Sequence, residues 1–499
     1  MRRYLTALIL TPWFAACGGD QTAVDDGGVD APTDTTSGDG NVVDAATQDA
    51  IADSPTDAAA DGPSYPPAVW SLALSHATYA DGDWAGAKVG LGVQGVVGMV
   101  FKNTSPALSD DAGVSLVYDE GDAALIMSSI YTEATVVSVN DVDDINKAGQ
   151  QIALSAQPGT SETKLVVNDM TTSQPFISVW SDLADNPIPR FHQDPVSQVM
   201  AFDSVPSGTF SYAAESLAPG GLLIYNRAIS GARLFPAGSS NGFAVDCVRG
   251  YASTYYIMGR MDGPSFDFGA DSGATSGSGY FIAQYVPTFT TVQWVRVFGG
   301  TPLFAASIGG EAPESASIRG AFDSPFTSGT DLTFTVPFTG TIDFGNGKQF
   351  SAPQSGQATA LAVIDATGNV TFAKAFNKGP SSANKTSRPS AYRVLDSNLQ
   401  PVGFRLFDTV WDTIDLGGTT VTATAGADVV IADFDLNGNL TSYRMYGGPG
   451  DDEAYRIFIE GSGGDYAILG HSMQTINFGN GALATTASEG EVWVARMSP

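Results

Sequence analysis

Ile342-Asp343-Phe344-Gly345, then Ala360-Leu361-Ala362-Val363, then a turn at Asp365-Ala366-Thr367-Gly368-Asn369 leading into Val370-Thr371-Phe372-Ala373, is a unit that recurs along the second half of the chain. Its opening tetrapeptide returns as Phe266-Asp267-Phe268-Gly269, Ile414-Asp415-Leu416-Gly417 and Ile476-Asn477-Phe478-Gly479, at spacings of 76, 72 and 62 residues. Each is followed by an apolar stretch with strand patterning: Tyr280-Phe281-Ile282-Ala283, Ala360-Leu361-Ala362-Val363, Val429-Val430-Ile431-Ala432 and Val492-Trp493-Val494-Ala495. A turn rich in Gly and Asn and a second strand follow in the first three, which predicts hairpins. Self-similarity at a fixed period is the mark of a repeat architecture.

The same strand-turn-strand unit is traced earlier at 114–130, 164–180 and 222–235, making seven. The last unit lacks its second strand, because the chain stops at Pro499. A matching strand stands at the other end, where Ala68-Val69-Trp70-Ser71-Leu72-Ala73 is similar to Val292-Gln293-Trp294-Val295-Arg296-Val297. Pairing the first strand with the last unit would remove an exposed sheet edge. The expected fold is therefore all-β: a β-propeller of seven four-stranded blades closed by an N-terminal strand. The blades are placed at 86–130, 134–181, 196–235, 242–298, 316–376, 390–446, and 454–497 with 68–74. The segments between second and third strands (260–278, 339–357, 409–426, 471–489) and those between blades (299–315, 377–389) are expected as loops emerging on one face.

Composition agrees. Gly numbers 57 of 499 residues, charged residues are 15%, and the chain holds 43 Asp but only 10 Glu and 8 Lys. Asp favours turns where Glu and Lys favour helices. The net charge of −30 repels phosphate backbones, so nucleic acid is excluded as a partner. Two Cys and three His leave little for a disulfide framework or a zinc site.

The N-terminus reads as an address. Arg2 and Arg3 precede an apolar stretch from Tyr4 to Leu10, too short to span a bilayer, which runs on to Ala15-Ala16-Cys17-Gly18. This ending resembles the lipobox of bacterial lipoproteins, with Phe14 where that family prefers Leu. The resemblance implies a signal peptide over 1–16 and lipidation (palmitate among the chains) of Cys17. Gly18 in place of Asp favours an outer-membrane lipoprotein facing the cell surface or the periplasm. Residues 17–66 form a linker whose stretch 18–66 carries eleven Asp and no Glu, Lys or Arg, a composition that predicts disorder. As a coil it would average about 35–42 Å end to end. Removing its eleven acids and the two arginines of the signal leaves 42 acidic and 21 basic residues, or −21, on the propeller domain, 67–499.

Tyr446-Gly447-Gly448-Pro449-Gly450-Asp451-Asp452-Glu453-Ala454, then Gly463-Gly464-Asp465-Tyr466-Ala467-Ile468-Leu469-Gly470 and Ile476-Asn477-Phe478-Gly479, resembles the seven-bladed β-propeller repeat of bacterial envelope proteins, and Phe298-Gly299-Gly300 shares its opening. The resemblance covers residues 250–499 best. It implies a propeller in an envelope setting and brings no catalytic residues with it.

Single motifs are weighed against their structural readings. The motif residues Asp267, Asp343, Asp415 and Asn477 fall on different blades, so they are expected to cap turns while their apolar neighbours fill the space between sheets. Asp433-Phe434-Asp435-Leu436-Asn437-Gly438 matches the first half of a calcium loop, but position twelve is Arg444 and no helices flank it. With Asp451 and Asp452, the residues Asp433, Asp435 and Asn437 are the candidates for a structural calcium; no other metal or cofactor is expected. Gly90-Leu91-Gly92-Val93-Gln94-Gly95 fits a dinucleotide fingerprint as text, yet an apolar strand follows it. Gly238-Ser239-Ser240-Asn241-Gly242 fits a nucleophile elbow without the helix that elbow needs. His76, His192 and His471 are tied to no motif, and Cys247 reads as a core filler. No catalytic constellation emerges. The expected function is a non-enzymatic, lipid-anchored binding module, monomeric, for a protein or polysaccharide partner. A polysaccharide-acting enzyme and a periplasmic scaffold or assembly factor stand as alternatives.

Overall fold

Within each meander, strands that follow one another pair antiparallel. In this computed structural model the described residues are 67–73 and, from 82 to 498, the strands and turns named below; side chains are described mainly in 254–300 and 331–498. All lie in one compact unit, 61–499. The signal, Cys17, the linker and His76 lie outside the described residues.

Among the described residues the strands form successive four-stranded meanders. The first comprises Gly82–Leu91, Val96–Asn103, Ala112–Asp119 and Leu125–Tyr131. The second comprises Thr135–Val142, Gln150–Ala156, Thr163–Asp169 and Gln174–Ser181. The third comprises Arg190–Asp194, Val199–Val205, Gly221–Asn226 and Gly231–Phe235. Gly242–Tyr251, Thr254–Asp262, Gly279–Tyr285 and Val292–Pro302 make the fourth. Ser317–Gly320, Leu332–Asp343, Ala358–Ile364 and Val370–Asn377 make the fifth. Ser390–Leu395, Pro401–Val410, Asp428–Asp435 and Leu440–Tyr446 make the sixth. The seventh takes Asp452–Ile459, Tyr466–Ser472 and Glu491–Met497 from the C-terminal end and Trp70–Ala73 from the N-terminal end, with Trp70 opposite Arg496 and Ala73 opposite Trp493. Only one helical turn is present among the described residues, the 3-10 turn Pro380–Ser382, and no described helix is long and apolar enough to cross a membrane.

First strands pack in sequence. Gly82–Leu91 lies against Thr135–Val142, that strand against Arg190–Asp194, and so on through Gly242–Tyr251, Ser317–Gly320 and Ser390–Leu395. Asp452–Ile459 lies against the second and third strands of the sixth meander, Pro401–Val410 and Asp428–Asp435, and also against Gly82–Leu91.

Sheets stacked on both faces explain the apolar strand patterns. Every residue of Ala358–Ile364 is buried. Leu361 and Val363 point into the apolar layer shared with the sixth meander, whereas Ala360, Ala362 and Ile364 point into the layer shared with the fourth. The period of two is present, but both faces are dry, so it does not show as apolar-polar alternation.

The segments expected as face loops between second and third strands are instead short ribbons. Phe266–Asp267 pairs with Ala274–Thr275, the end of Leu332–Asp343 with Gln349–Ser351, Thr413–Asp415 with Thr420–Thr422, and Thr475–Asn477 with Ala482–Ala484. They lean on the preceding meander. Gly299 pairs with Asp343, Lys378 bridges to Ile414, and in the third meander Thr209 pairs with Ser181. Each ribbon so placed covers a last strand that would otherwise present an open edge.

Candidate functional site

The recurring tetrapeptide builds these ribbons. Its carboxylate or amide oxygen turns back on the chain: Asp343 accepts from the Gly345 N–H at 2.8 Å, Asp415 from Gly417 at 2.9 Å and Gly418 at 2.6 Å, and Asn477 from Gly479 at 2.8 Å. The glycines follow from backbone shape, since Gly345 and Gly347 have φ of 77° and Asn346 has 52°. The apolar third residue dives between meanders. Phe268 meets Phe281 at 4.9 Å between centroids, Phe344 meets Phe298 at 5.1 Å, and Phe478 meets Trp493 at 4.8 Å and Tyr446 at 5.3 Å. These motif residues serve turns and packing.

The acidic turns from which a calcium site was considered are likewise occupied. Asp433 forms a two-pronged pair with Arg405, at 2.6 Å to Nε and 2.9 Å to the second guanidinium nitrogen. Asp435 accepts from the Asn437 and Asn439 N–H groups at 2.9 and 2.8 Å, and bonds from the Asn439 side chain and these N–H groups hold its carboxyl below the ordinary range. Asn437 contributes its backbone to this turn. Asp451 accepts from the Ala427 N–H at 3.0 Å. Asp452 lies apart from Asp433 and Asp435, on the first strand of the next meander. Among the described residues no three His, Cys, Asp or Glu side chains converge as a metal-binding group.

The text-level matches resolve in the same way. Gly90 and Leu91 pair with Gly98 and Val97 in a hairpin, so no helix follows the glycines. Gly238 to Asn241 lie outside the described residues. His192 pairs with Ala201 in the third meander and His471 with Glu453 in the seventh. Cys247 sits at a register shift opposite Met258.

What the sequence reading missed is a pair of buried polar assemblies under the connections from the fifth to the sixth meander and from the sixth to the seventh. In the first, Lys378 Nζ donates to Asp408 Oδ1 at 2.6 Å, to Ser387 Oγ at 2.8 Å and to the Thr409 carbonyl at 3.0 Å. Asp408 also accepts from Thr359 Oγ1 at 2.5 Å, Ser387 Oγ at 2.9 Å and the Thr409 N–H at 2.8 Å. Both charged side chains are essentially sealed from water, at 1% and 0% exposure. Burial pulls the ammonium below the ordinary lysine range against the opposing attraction of Asp408. Beside it, the Gln357 side-chain amide donates to the carbonyls of Ser382 and Lys385, two fixed points in the connection to the sixth meander.

The second assembly is made of acids. Asp428, Asp452 and Ser472 are buried, with Asp451 beside them on the connection. Asp428 Oδ2 accepts from the Thr424 N–H at 2.7 Å, and a side chain at Gly447 would collide with its other oxygen. The Asp452 N–H donates to the Ala427 carbonyl at 2.6 Å. One signal was available. Phe298-Gly299-Gly300, Phe376-Asn377-Lys378 and Tyr446-Gly447-Gly448 align, and Lys378 is the charged departure from glycine.

No family model matches the chain, and no curated protein matches it. Solved structures similar to it include the β-propeller domain of the Trilobed protease from Pyrococcus furiosus (7% identity, 83% of this chain and 93% of that one, TM-score 0.41). Others are the WD40 domain of Toxoplasma gondii coronin (8%, 88% and 89%, 0.40) and the NanB sialidase of Streptococcus pneumoniae (10%, 87% and 71%, 0.40). At these values the likeness bears on nothing beyond fold, and the strand pairings above carry the description.

Proposed function

We propose that the chain is a seven-bladed propeller, anchored through lipidated Cys17 to the outer membrane and held off it by the 17–66 linker, that binds an envelope protein or polysaccharide without turning it over. The packing of first strands from the first meander to the sixth, the contact of Asp452–Ile459 with both the sixth meander and the first, and the pairing of Trp70–Ala73 with the last strand all support a closed ring. One observation carries the binding role: in the connection after the fifth meander, buried Gln357 ties down the backbone at Ser382 and Lys385 and buried Lys378 holds Ser387, while Pro380 and Ser381 stay exposed. Loops set rigidly before a partner arrives bind at lower entropic cost.

The test has two parts. A broad protease applied to intact cells, with a periplasmic control protein, reports which way the domain faces; trypsin is unsuitable because the linker has no Lys or Arg. Glycan arrays and in-cell crosslinking then compare the full chain with a variant in which 380–385 is replaced by Gly and Ser. Loss of a captured partner in that variant is the expected result. Turnover of an oligosaccharide by the full chain, abolished by one Asp or His change, would refute the reading.

A further inference from the structure

We propose that the Lys378–Asp408 pair is a site of self-modification, where the lysine nitrogen and the aspartate carboxyl carbon condense to an amide that ties the fifth meander covalently to the sixth. Lys378 directly follows the last strand of the fifth, Val370–Asn377, and Asp408 lies in Pro401–Val410, the second strand of the sixth. The structure shows the pair in its ionic state, before the bond forms.

The two groups are close and dry. Nζ stands 2.6 Å from Oδ1, which for an ordinary hydrogen-bond angle puts the carbon carrying that oxygen about 3.5 Å away, the separation of groups set to react. Both side chains are sealed, at 1% and 0% exposure. In water an amine and an acid stay apart because both ionise and are hydrated. Here that hydration is lost, and condensation removes two buried charges at once. The fold also replaces a bimolecular encounter by an effective concentration of about 10⁵ M or more.

The surrounding donors stand where the chemistry needs them. The Ser387 hydroxyl bridges the pair, accepting from Nζ at 2.8 Å and donating to Oδ1 at 2.9 Å. Thr359 Oγ1 donates to Oδ2 at 2.5 Å, and the Thr409 N–H to Oδ1 at 2.8 Å. Burial, which pulls the ammonium below the ordinary lysine range, favours the uncharged amine that acts as nucleophile.

The atoms balance. A first proton passes from Nζ to Oδ1, leaving an amine beside a carboxylic acid. The amine lone pair attacks the carboxyl carbon, and the charge developing on Oδ2 faces the Thr359 hydroxyl. Ser387 then takes a second proton from Nζ while handing its own to Oδ1. The bond from carbon to Oδ1 breaks, that oxygen leaves as water, and Oδ2 becomes the amide carbonyl. Of the three ammonium hydrogens, one stays on the amide and two leave in the water. No oxidant or co-reactant is consumed. Phe298-Gly299-Gly300 and Tyr446-Gly447-Gly448 place glycine where Phe376-Asn377-Lys378 places the lysine, so of these three junctions this one alone carries the nucleophile.

The test is mass spectrometry on the full chain. The folded protein should contain a species lighter by one water, present on purification or accumulating over a week. Trypsin should then release fragment 375–385, uncut after Lys378, joined to fragment 406–444. The joined fragment is the decisive readout, because an Asp-Gly step such as Asp81-Gly82 also loses water but within a single peptide. Lys378→Arg keeps the positive charge without the amine and should give no joined fragment. Ser387→Ala keeps both reacting groups and should slow the accumulation about a hundredfold, an effect on rate that a mere packing role would not produce. Separate fragments 375–378 and 406–444 as the only products of the aged, folded wild type would overturn the proposal and leave a simple ion pair. An unchanged rate in Ser387→Ala would overturn the relay.

Discussion

Removing both charges of the Lys378–Asp408 pair should cost far less than the sum of removing each. The ammonium uses all three of its donors, on Asp408, Ser387 and Thr409, and the carboxylate accepts from Thr359, Ser387 and Thr409 besides. Both groups are out of contact with water. Lys378→Met keeps the bulk of the side chain and strands a buried carboxylate; Asp408→Asn keeps the shape and strands a buried ammonium. Each change should cost about 3–5 kcal/mol. In the double variant no charge remains; the Asn oxygen, at the Oδ1 position, still accepts from Ser387 and Thr409, and its amide nitrogen, at the Oδ2 position, donates to Thr359 Oγ1 once that hydroxyl turns round. Its cost should be about 2–4 kcal/mol, leaving a coupling energy of about 2 kcal/mol or more. Urea unfolding is a suitable assay, because Trp411 lies 5.6 Å from the Lys378 ammonium and is 8% exposed, so its fluorescence reports this junction. Effects that add to within about 0.5 kcal/mol would refute the reasoning, since independent sites add and a sealed ion pair cannot.

Three further outcomes are expected. Phe478→Ala empties the space between the Tyr446 and Trp493 rings and should cost about 3–5 kcal/mol in denaturant unfolding, whereas Asp415→Ala, which loses two exposed turn bonds, should cost about 1 kcal/mol. Deleting 67–73 uncovers the edge of Glu491–Met497 and removes the buried Ala68; the truncated protein should melt lower and self-associate with rising concentration in size-exclusion chromatography.

The strand-turn-strand units could be read from sequence because their signal is local. Asp365 and Asp435 cap their own turns through N–H groups two and four residues on, and such bonds need nothing beyond the segment itself. The motif Asp and Asn residues were read as turn caps for the same reason, and their apolar neighbours as fillers between sheets. The ribbons were not foreseen, because their strands are two or three residues long and their pairing depends on the outer strand of the meander before. Nor was the polar interior. Lys378 and Asp408 are 30 residues apart, and no spacing rule joins them.

A repeated latch lay equally hidden. Arg296, Lys374 and Arg444 each stand two residues before an aromatic in the last strand of a meander, at Phe298, Phe376 and Tyr446. Arg296 donates to the Gly368 carbonyl at 2.7 Å, Lys374 donates to the Gly438 carbonyl, and Arg444 lies beside Gly479. The first two grip the next meander, and the third lies against it. Arg233-Leu234-Phe235 repeats the pattern in the third.

The sequence by itself determined the all-β class, the unit and its period, the turn chemistry and the first strand that completes the last unit, since all of these reside in short-range patterning or in likeness between segments. Only the tertiary structure decided which polar side chains are sealed inside. Burial and charge balance belong to the junction between two meanders, and identical local patterns yield a lysine-neutralised junction in one place and an acid-lined one in the next. The difference comes from what faces each residue across the gap. At 448 the Thr475 carbonyl leaves no space for a side chain, and at 378 a lysine reaches inward to Asp408.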